Sequence, residues 1–420
     1  MSTARLVVVG NGMAGIRTLE ELLRRDAKRY AITVFGAEPH PNYNRILLSP
    51  VLAGERTLDE IVLNDFGWYE AHGIELRCGQ KVVSIDRSRR LVFAENHEPT
   101  PYDRLLLATG SVPIVPPLPG SGLQGVLAYR DIADTQKMIA ASTQFRRAVV
   151  IGGGLLGLEA ACGLVRRGME VTVVHLAPWL MERQLDRTAA GLLQESLEAR
   201  GLRFRLSAKT EAFSEGDAGQ VGSVVLADGE IIPAQLVVVA IGIRPNTALA
   251  ESAGLYCDRG IVVSDTLQTF DPRIYAVGEC VSHRGRSYGL VAPLFEQAQV
   301  CADHLAEGGV LRYGGSILST KLKVTGIDVF SVGDFLGDAK TEEILLADRD
   351  TAVYRKLVLR DGKLIGACLF GDTEDSPWYL DLIRQQADVD SLRDELMFGR
   401  PEPVEARPLP GTQVPLCEVL

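Results

Sequence analysis

Apolar and polar residues along this chain fall into blocks that switch between two periods. Near the start, "RLVVVG" is a short apolar run of the kind that fills a strand buried on both faces. "MAGIRTLEELLRRD" then places apolar residues three and four apart, which predicts a helix, and "AITVFGAE" returns to the strand pattern. "YDRLLLATGS", from Tyr102 to Ser111, predicts a buried strand ending in Thr-Gly, followed by the proline-rich crossing "VPIVPPLPGSG". The cycle restarts with strand "RAVVIG", helix "LLGLEAACGLVRRG" and strand "EVTVVH". It closes on "LVVVAIGIRPN", whose Gly242 matches the Gly110 of the first closing strand. One strand is predicted over Arg273 to Ser282 and a helix over "APLFEQAQVCADHLAEGG".

From about Tyr313 the character changes. "STKLKVTGIDVFSVGDF" and "YRKLVLRDGKLIGACLFGD" predict strands, with Asp361-Gly362 as a hairpin turn, and "SPWYLDLIRQQADVDSLRDELMFG" predicts two short helices. The proline-rich end, "GRPEPVEARPLPGTQVPLCEVL", reads as an extended tail. The expected fold is α/β, with one nucleotide-binding unit (1–115 and 248–312) interrupted by a second (116–247). A C-terminal α+β domain (313–400) and a tail (401–420) follow.

Composition narrows the partners. With 46% hydrophobic and 23% charged residues, the 420-residue chain has the makeup of a soluble globular protein of two or three domains. A formal net charge of −10 argues against nucleic acid, which needs a basic face. No apolar run approaches the roughly 18 residues of a membrane span. The N-terminus enters a buried-type strand at once, so no signal peptide and a cytoplasmic setting are expected. The seven cysteines are scattered and none forms C-x-x-C, so neither a dithiol pair nor a metal site is expected.

The two turns between strand and helix carry the chemistry. Gly10, Gly12 and Gly15 occupy the first, and Gly152, Gly154 and Gly157 the second. A lone G-x-G-x-x-G is a weak signal, but each of these has a strand before it and a helix after it. The first glycine makes the tight turn, the second admits a pyrophosphate to the backbone, and the third lets helix and strand pack closely. The helix N-terminus then faces the anion. Both units are therefore Rossmann-like dinucleotide-binding domains. Glu38, ending "AITVFGAE", stands where a carboxylate accepts from ribose hydroxyls. The matching position of the second unit is His175, which favours neither nicotinamide cofactor strongly; without an arginine pair beside it, NADH is expected over NADPH. The alternative for His175 is a loop residue that touches nothing.

The order GxGxxG, "LLLATGS", GGGLLGLE, "VVVAIGIRPN", "IYAVGEC" resembles the FAD-dependent pyridine-nucleotide oxidoreductases over roughly residues 4 to 310. The resemblance implies FAD in the first unit and NAD(P)H in the inserted one. The implied FAD contacts are Gly10, Gly12, Met13, Ala14, Gly15, Glu38, Arg45, Val82, Ala108, Thr109, Gly110, Arg130, Gly278, Glu279, Pro293, Leu294, Phe295 and Gln297. Of these, Glu279 takes the place of an aspartate that binds the ribitol, and Pro293 to Gln297 begin a helix whose dipole faces the flavin's pyrimidine edge. The implied NAD(P)H contacts are Gly152, Gly154, Leu155, Leu156, Gly157, Glu159, His175 and Gly242.

"PNYNRILLSPVLAGE", "APWLMERQLD", "STKLKVTGIDVFSVGDF" and "LRDELMFGRP" look like the flavin portion of the large subunit of assimilatory NAD(P)H nitrite reductases. In that family [2Fe–2S] and sirohaem parts follow, and no cysteine cluster follows Phe398 here. Pro50 replaces the lysine that oxygenase-coupled relatives carry, which leaves Glu159 alone as the candidate catalytic residue near the nicotinamide. The absent C-x-x-C implies that electrons leave the flavin for a separate protein or small acceptor. The expected function is an NADH:acceptor flavoprotein whose partner is an iron–sulfur or sirohaem component of nitrite or nitrate assimilation. Alternatives are a rubredoxin or ferredoxin reductase of another pathway, an NADH oxidase, or a redox sensor with a structural flavin. A homodimer is compatible with the sequence.

Overall fold

The computed structural model describes residues 3–324, 326–348 and 350–400. β1 (Ala4–Val9) is buried from Leu6 onward, as its apolar run demands, and leads through Gly10 into α1 (Met13–Asp26). β2 (Tyr30–Phe35) pairs with β1 in parallel, Ala4 opposite Tyr30, and β3 (Ile74–Arg77) continues the sheet beyond it. The short α2 (Leu48–Ala53) lies between them in sequence. β4 (Arg104–Leu107) adds on the other side of β1, Leu6 opposite Arg104.

A second parallel sheet is built entirely from residues between β4 and the first sheet's last strand. Its members are β5 (Val126–Ala128), β6 (Arg147–Ile151), β7 (Glu170–Val174), β8 (Arg203–Arg205) and β9 (Leu236–Val239). They lie in the order β5-β9-β6-β7-β8. α3 (Ile132–Gln144), α4 (Leu155–Arg166) and α5 (Arg187–Glu198) are its helices. β10 (Ile274–Ala276) then returns to pair with β4, giving the first sheet the order β10-β4-β1-β2-β3. The two sheets thus repeat one plan, and each glycine turn sits where strand order reverses, the place such sheets bind ligands. The crossing segments Ser111–Pro113 and Ile243–Pro245 pair antiparallel. α6 (Val291–Leu305) packs along α1.

The third region is an antiparallel sheet of β11 (Ser319–Val324), β12 (Ile327–Gly333), β13 (Glu342–Asp348), β14 (Val353–Arg360) and β15 (Lys363–Phe370). Its order is β11-β12-β15-β14-β13, with Asp361-Gly362 turning β14 into β15. α7 (Ser376–Gln385) covers one face, burying Tyr379 and Ile383 against Phe330, Leu357 and Leu369. Ile327, Val329, Tyr354 and Phe370 face instead the core that holds α4 and α5.

Three expectations need correction, and one strand went unpredicted. Arg273 to Ser282 is two strands, β10 and Val281–His283, because Gly278 at φ +93° breaks the chain between them. The strand expected from Tyr102 to Ser111 stops at Leu107. The second of the two C-terminal helices is only two single 3-10 turns, Asp390–Leu392 and Leu396–Phe398. β13 was not anticipated: "EEILLAD" is a largely exposed edge strand without the alternation that a buried face imposes. The proline-rich tail lies outside the described residues. No helix among the described residues is long and apolar enough to cross a membrane.

Candidate dinucleotide sites

Both glycine turns are built the same way. Gly10 and Gly152 adopt φ of +118° and +119°, and a Cβ on either would strike the carbonyl oxygen of Ala108 or Ala240, at 2.1 and 2.3 Å. Gly15 and Gly157 pack onto the first glycine's carbonyl, where a Cβ would come within 2.7 and 2.0 Å. The middle glycines differ from both. Gly12 and Gly154 have nothing within 4 Å of an added Cβ, and each caps its helix without any side-chain hydrogen bond. The starts of α1 and α4 thus have no side-chain cap and open space beside the middle glycine, a cradle that fits a pyrophosphate.

Around the first turn the predicted residues form two groups. Glu38, at the end of β2, accepts from the Tyr43 hydroxyl at 2.7 Å and from Arg45 Nη2 at 2.6 Å. Val82 is buried on a small neighbouring strand, and Gly79, three residues before it, donates its N–H to the Glu38 carbonyl at 3.0 Å. The second group lies past the ends of β4 and β10. There Glu279 Oε2 accepts from Ser111 Oγ at 2.7 Å and pairs with the Arg130 guanidinium, which also flanks Gly110. Gly278 N–H donates to the buried Gln297 Oε1 at 2.9 Å, and its Cα faces Ala14. Arg45 joins the groups by donating to the Arg130 carbonyl at 2.7 Å.

The remaining predicted residues divide between packing and the seam. Thr109 Oγ1 donates to the Asn246 carbonyl at 2.8 Å and Asn246 N–H to the Gly110 carbonyl at 2.9 Å, tying the ends of the two closing strands together. Ala108 is buried under Gly10. Pro293 and Leu294 are buried in the first turn of α6, and Phe295 lies under the Arg17 guanidinium at 5.3 Å. Met13 stands half-buried at the start of α1.

At the second turn, Leu155 and Leu156 are half-buried in the first turn of α4, and Gly242 at φ +122° follows the Ala240 carbonyl that seats Gly152. Glu159 points from α4 toward α2, where Ser49 Oγ donates to its Oε2 at 2.7 Å; the Tyr129 hydroxyl lies 3.3 Å from the same Ser49 oxygen. Burial pushes the Glu159 carboxyl up to about 7, against the smaller opposing pull of the Ser49 hydrogen bond. Such a group changes charge near neutral pH.

For His175 the alternative of a loop residue that touches nothing is overturned. Its imidazole is buried, accepting from Gly153 N–H at 3.0 Å and meeting Glu182 at 3.0 Å, so it neither stands free nor touches nothing. The sequence missed Tyr43, Ser49, Ser111, Tyr129 and Glu182. Ser111 stands 168 residues from Glu279 and Ser49 110 from Glu159, so no local spacing could have paired them.

Comparison with known proteins bears on the family. Residues 4–304 match the pyridine nucleotide-disulphide oxidoreductase family, and residues 319–387 match the rubredoxin NAD+ reductase C-terminal domain. A nitrite reductase [NAD(P)H] of Bacillus subtilis (strain 168) is 50% identical over 93% of this chain and 48% of its own length. The assimilatory nitrate reductase electron transfer subunit of the same organism is 45% identical over 97% of this chain and 52% of its own. The chain thus spans about half the length of these relatives. A solved ferredoxin reductase from Rhodopseudomonas palustris superposes with a TM-score of 0.82 at 26% identity, covering 92% of this chain and 98% of that one. The described cysteines form no disulfide with one another. With both glycine cradles, the inserted second sheet and the match over 4–304 in agreement, the chain belongs to the pyridine nucleotide-disulphide oxidoreductases, a family of FAD- and NAD(P)H-dependent enzymes.

Proposed function

We propose that this chain is an FAD-containing NADH:acceptor oxidoreductase that serves a separate redox protein, an iron–sulfur or sirohaem component of nitrite or nitrate assimilation. The observation that carries this reading is the duplicated cradle: two helix starts, each with its middle glycine open to a pyrophosphate. FAD supplies a centre that takes two electrons as hydride and passes them on singly.

The chain's own residues provide binding and orientation. Gly12 and the start of α1 receive the first pyrophosphate, with Glu38 at the ribose and Arg45 holding that carboxylate in place. Glu279, fixed by Ser111 and Arg130, is set to accept from a polyol. Gly154 and the start of α4 receive the second pyrophosphate. Glu159 can hold a proton at Oε2 or take the Ser49 hydrogen bond as a carboxylate, between the two units. A cytoplasmic setting belongs to the same reading.

Two relatives and one domain match bear on the acceptor. The nitrite reductase and the nitrate reductase electron transfer subunit named above support an assimilatory partner. The match of residues 319–387 to a rubredoxin reductase domain favours, as a second reading, a rubredoxin or ferredoxin acceptor. Identity of the flavin tests the first cradle. Glu38 and Gly12 serve an adenosine half that FMN lacks, so denaturing the protein and chromatographing the released flavin should give FAD. FMN, or flavin retained on the peptide, would contradict the assignment.

A further inference from the structure

His175 is the first residue after β7, and its ring is turned under the second glycine turn. Nδ1 accepts from Gly153 N–H at 3.0 Å, and Nε2 lies 3.0 Å from Glu182 Oε2. A ring nitrogen that accepts carries no proton, so Nε2 bears the hydrogen and donates it to the Glu182 carboxylate. The intervening chain folds back on the turn. Met181 N–H donates to the Gly153 carbonyl at 3.0 Å, and a Cβ on Gly153 would come within 2.8 Å of both His175 and Leu180. Glu182 is thereby anchored at the rim of the turn while 36% of its side chain stays in solvent.

We propose that Glu182, aimed by His175, selects NADH over NADPH at the second turn. The proposal rests on the reading of that turn as the nicotinamide-dinucleotide site. With the pyrophosphate at the start of α4, the adenosine ribose lies toward the end of β7, where His175 and Glu182 stand. His175 has both nitrogens committed and offers the ribose nothing. The partly exposed Glu182 carboxylate can accept from a 2′-hydroxyl and repels a 2′-phosphate. Around it the exposed Leu176 is apolar and Arg187 is drawn over the Trp179 ring at 5.5 Å, while Arg183, next to it in the chain, is exposed to solvent. Glu182 contacts the cofactor, and His175 is a positioning residue that acts through it.

Calorimetric titration of the flavoprotein as purified with NAD+ and with NADP+ tests this without turnover. The native protein should bind NAD+ at least about tenfold more tightly, and Glu182→Gln should reduce that preference about tenfold, the scale of a like-charge contact. Glu182→Asp should retain most of the preference, and Glu182→Arg should invert it. His175→Phe, which breaks both ring hydrogen bonds, should lower the same ratio; loss of stability alone would weaken both nucleotides equally. Glu198→Gln removes the same charge from the far end of α5 and should leave the ratio in place. A ratio unmoved by Glu182→Gln, or a native preference for NADP+, overturns the proposal. Binding of neither nucleotide overturns the underlying dinucleotide reading instead.

Discussion

Glu159 shows what a single side chain gains from its surroundings. On the first exposed turn of a helix it would be a carboxylate like any other, but here α2 closes over it and Ser49 is its hydrogen-bond partner. Burial raises its folded value from 4.5 to about 7, so folding opposes its ionisation. The sign follows directly. The stabilising contribution is complete below 4.5, where folded and unfolded chains are both protonated, and is lost as pH rises through about 7. Glu159→Gln removes that dependence. Denaturant unfolding of variant and native protein should therefore show the variant gaining relative stability from pH 4.5 to 8, by about 1–3 kcal/mol. Curves that stay parallel across this range would contradict a Glu159 carboxyl raised by burial. The sequence named Glu159 and Glu38 as candidates but could not supply their partners. Tyr43 and Arg45 lie close to Glu38 in the chain, whereas Ser49 and Ser111 are brought to Glu159 and Glu279 only by the assembled sheets.

At the scale of elements, the strand–turn–helix units were legible because three demands coincide on a few residues. The apolar run, the positive φ of the first glycine and the helical spacing all act locally. The middle and third glycines serve different ends, and substitution should separate them. Gly154 has open space around it and an extended backbone at φ −82°, so Gly154→Ala should cost less than about 1 kcal/mol of stability. Its methyl would stand in the cradle and weaken NAD+ by about tenfold or more, since the pyrophosphate needs the backbone bare. Gly157→Ala instead drives a Cβ to 2.0 Å from the Gly152 carbonyl and should cost about 1–3 kcal/mol of folding stability. Thermal unfolding beside nucleotide titration distinguishes them. Equal losses of stability in the two variants would contradict the division of roles. β13 and the break at Gly278 were illegible for a related reason. An exposed edge strand carries no burial pattern, and a glycine inside an apolar run does not announce whether the chain turns there.

For the whole molecule, the repeated plan of the two sheets decides the account. The closing strands are tied through Thr109, Gly110 and Asn246, and Ser49 of one unit bonds Glu159 of the other, so the two cradles are joined across one seam. The third sheet rests on α4 and α5 through Ile327, Val329, Tyr354 and Phe370, and the Tyr354 hydroxyl bonds Asp186, the residue that caps α5. On the proposed function this arrangement serves a carrier that accepts electrons at one site and yields them to another protein. Nitrite reduction to ammonia takes six electrons, the equivalent of three NADH, which on the proposed function pass to the separate partner. The most direct test is rapid-mixing spectroscopy of the purified chain without air. NADH should bleach the flavin quickly, ferricyanide should restore the colour, and nitrite alone should not, whereas a separate iron–sulfur or sirohaem partner with nitrite should sustain turnover. Failure of NADH to bleach the flavin, or rapid ammonia formation from nitrite by this chain alone, would contradict the account.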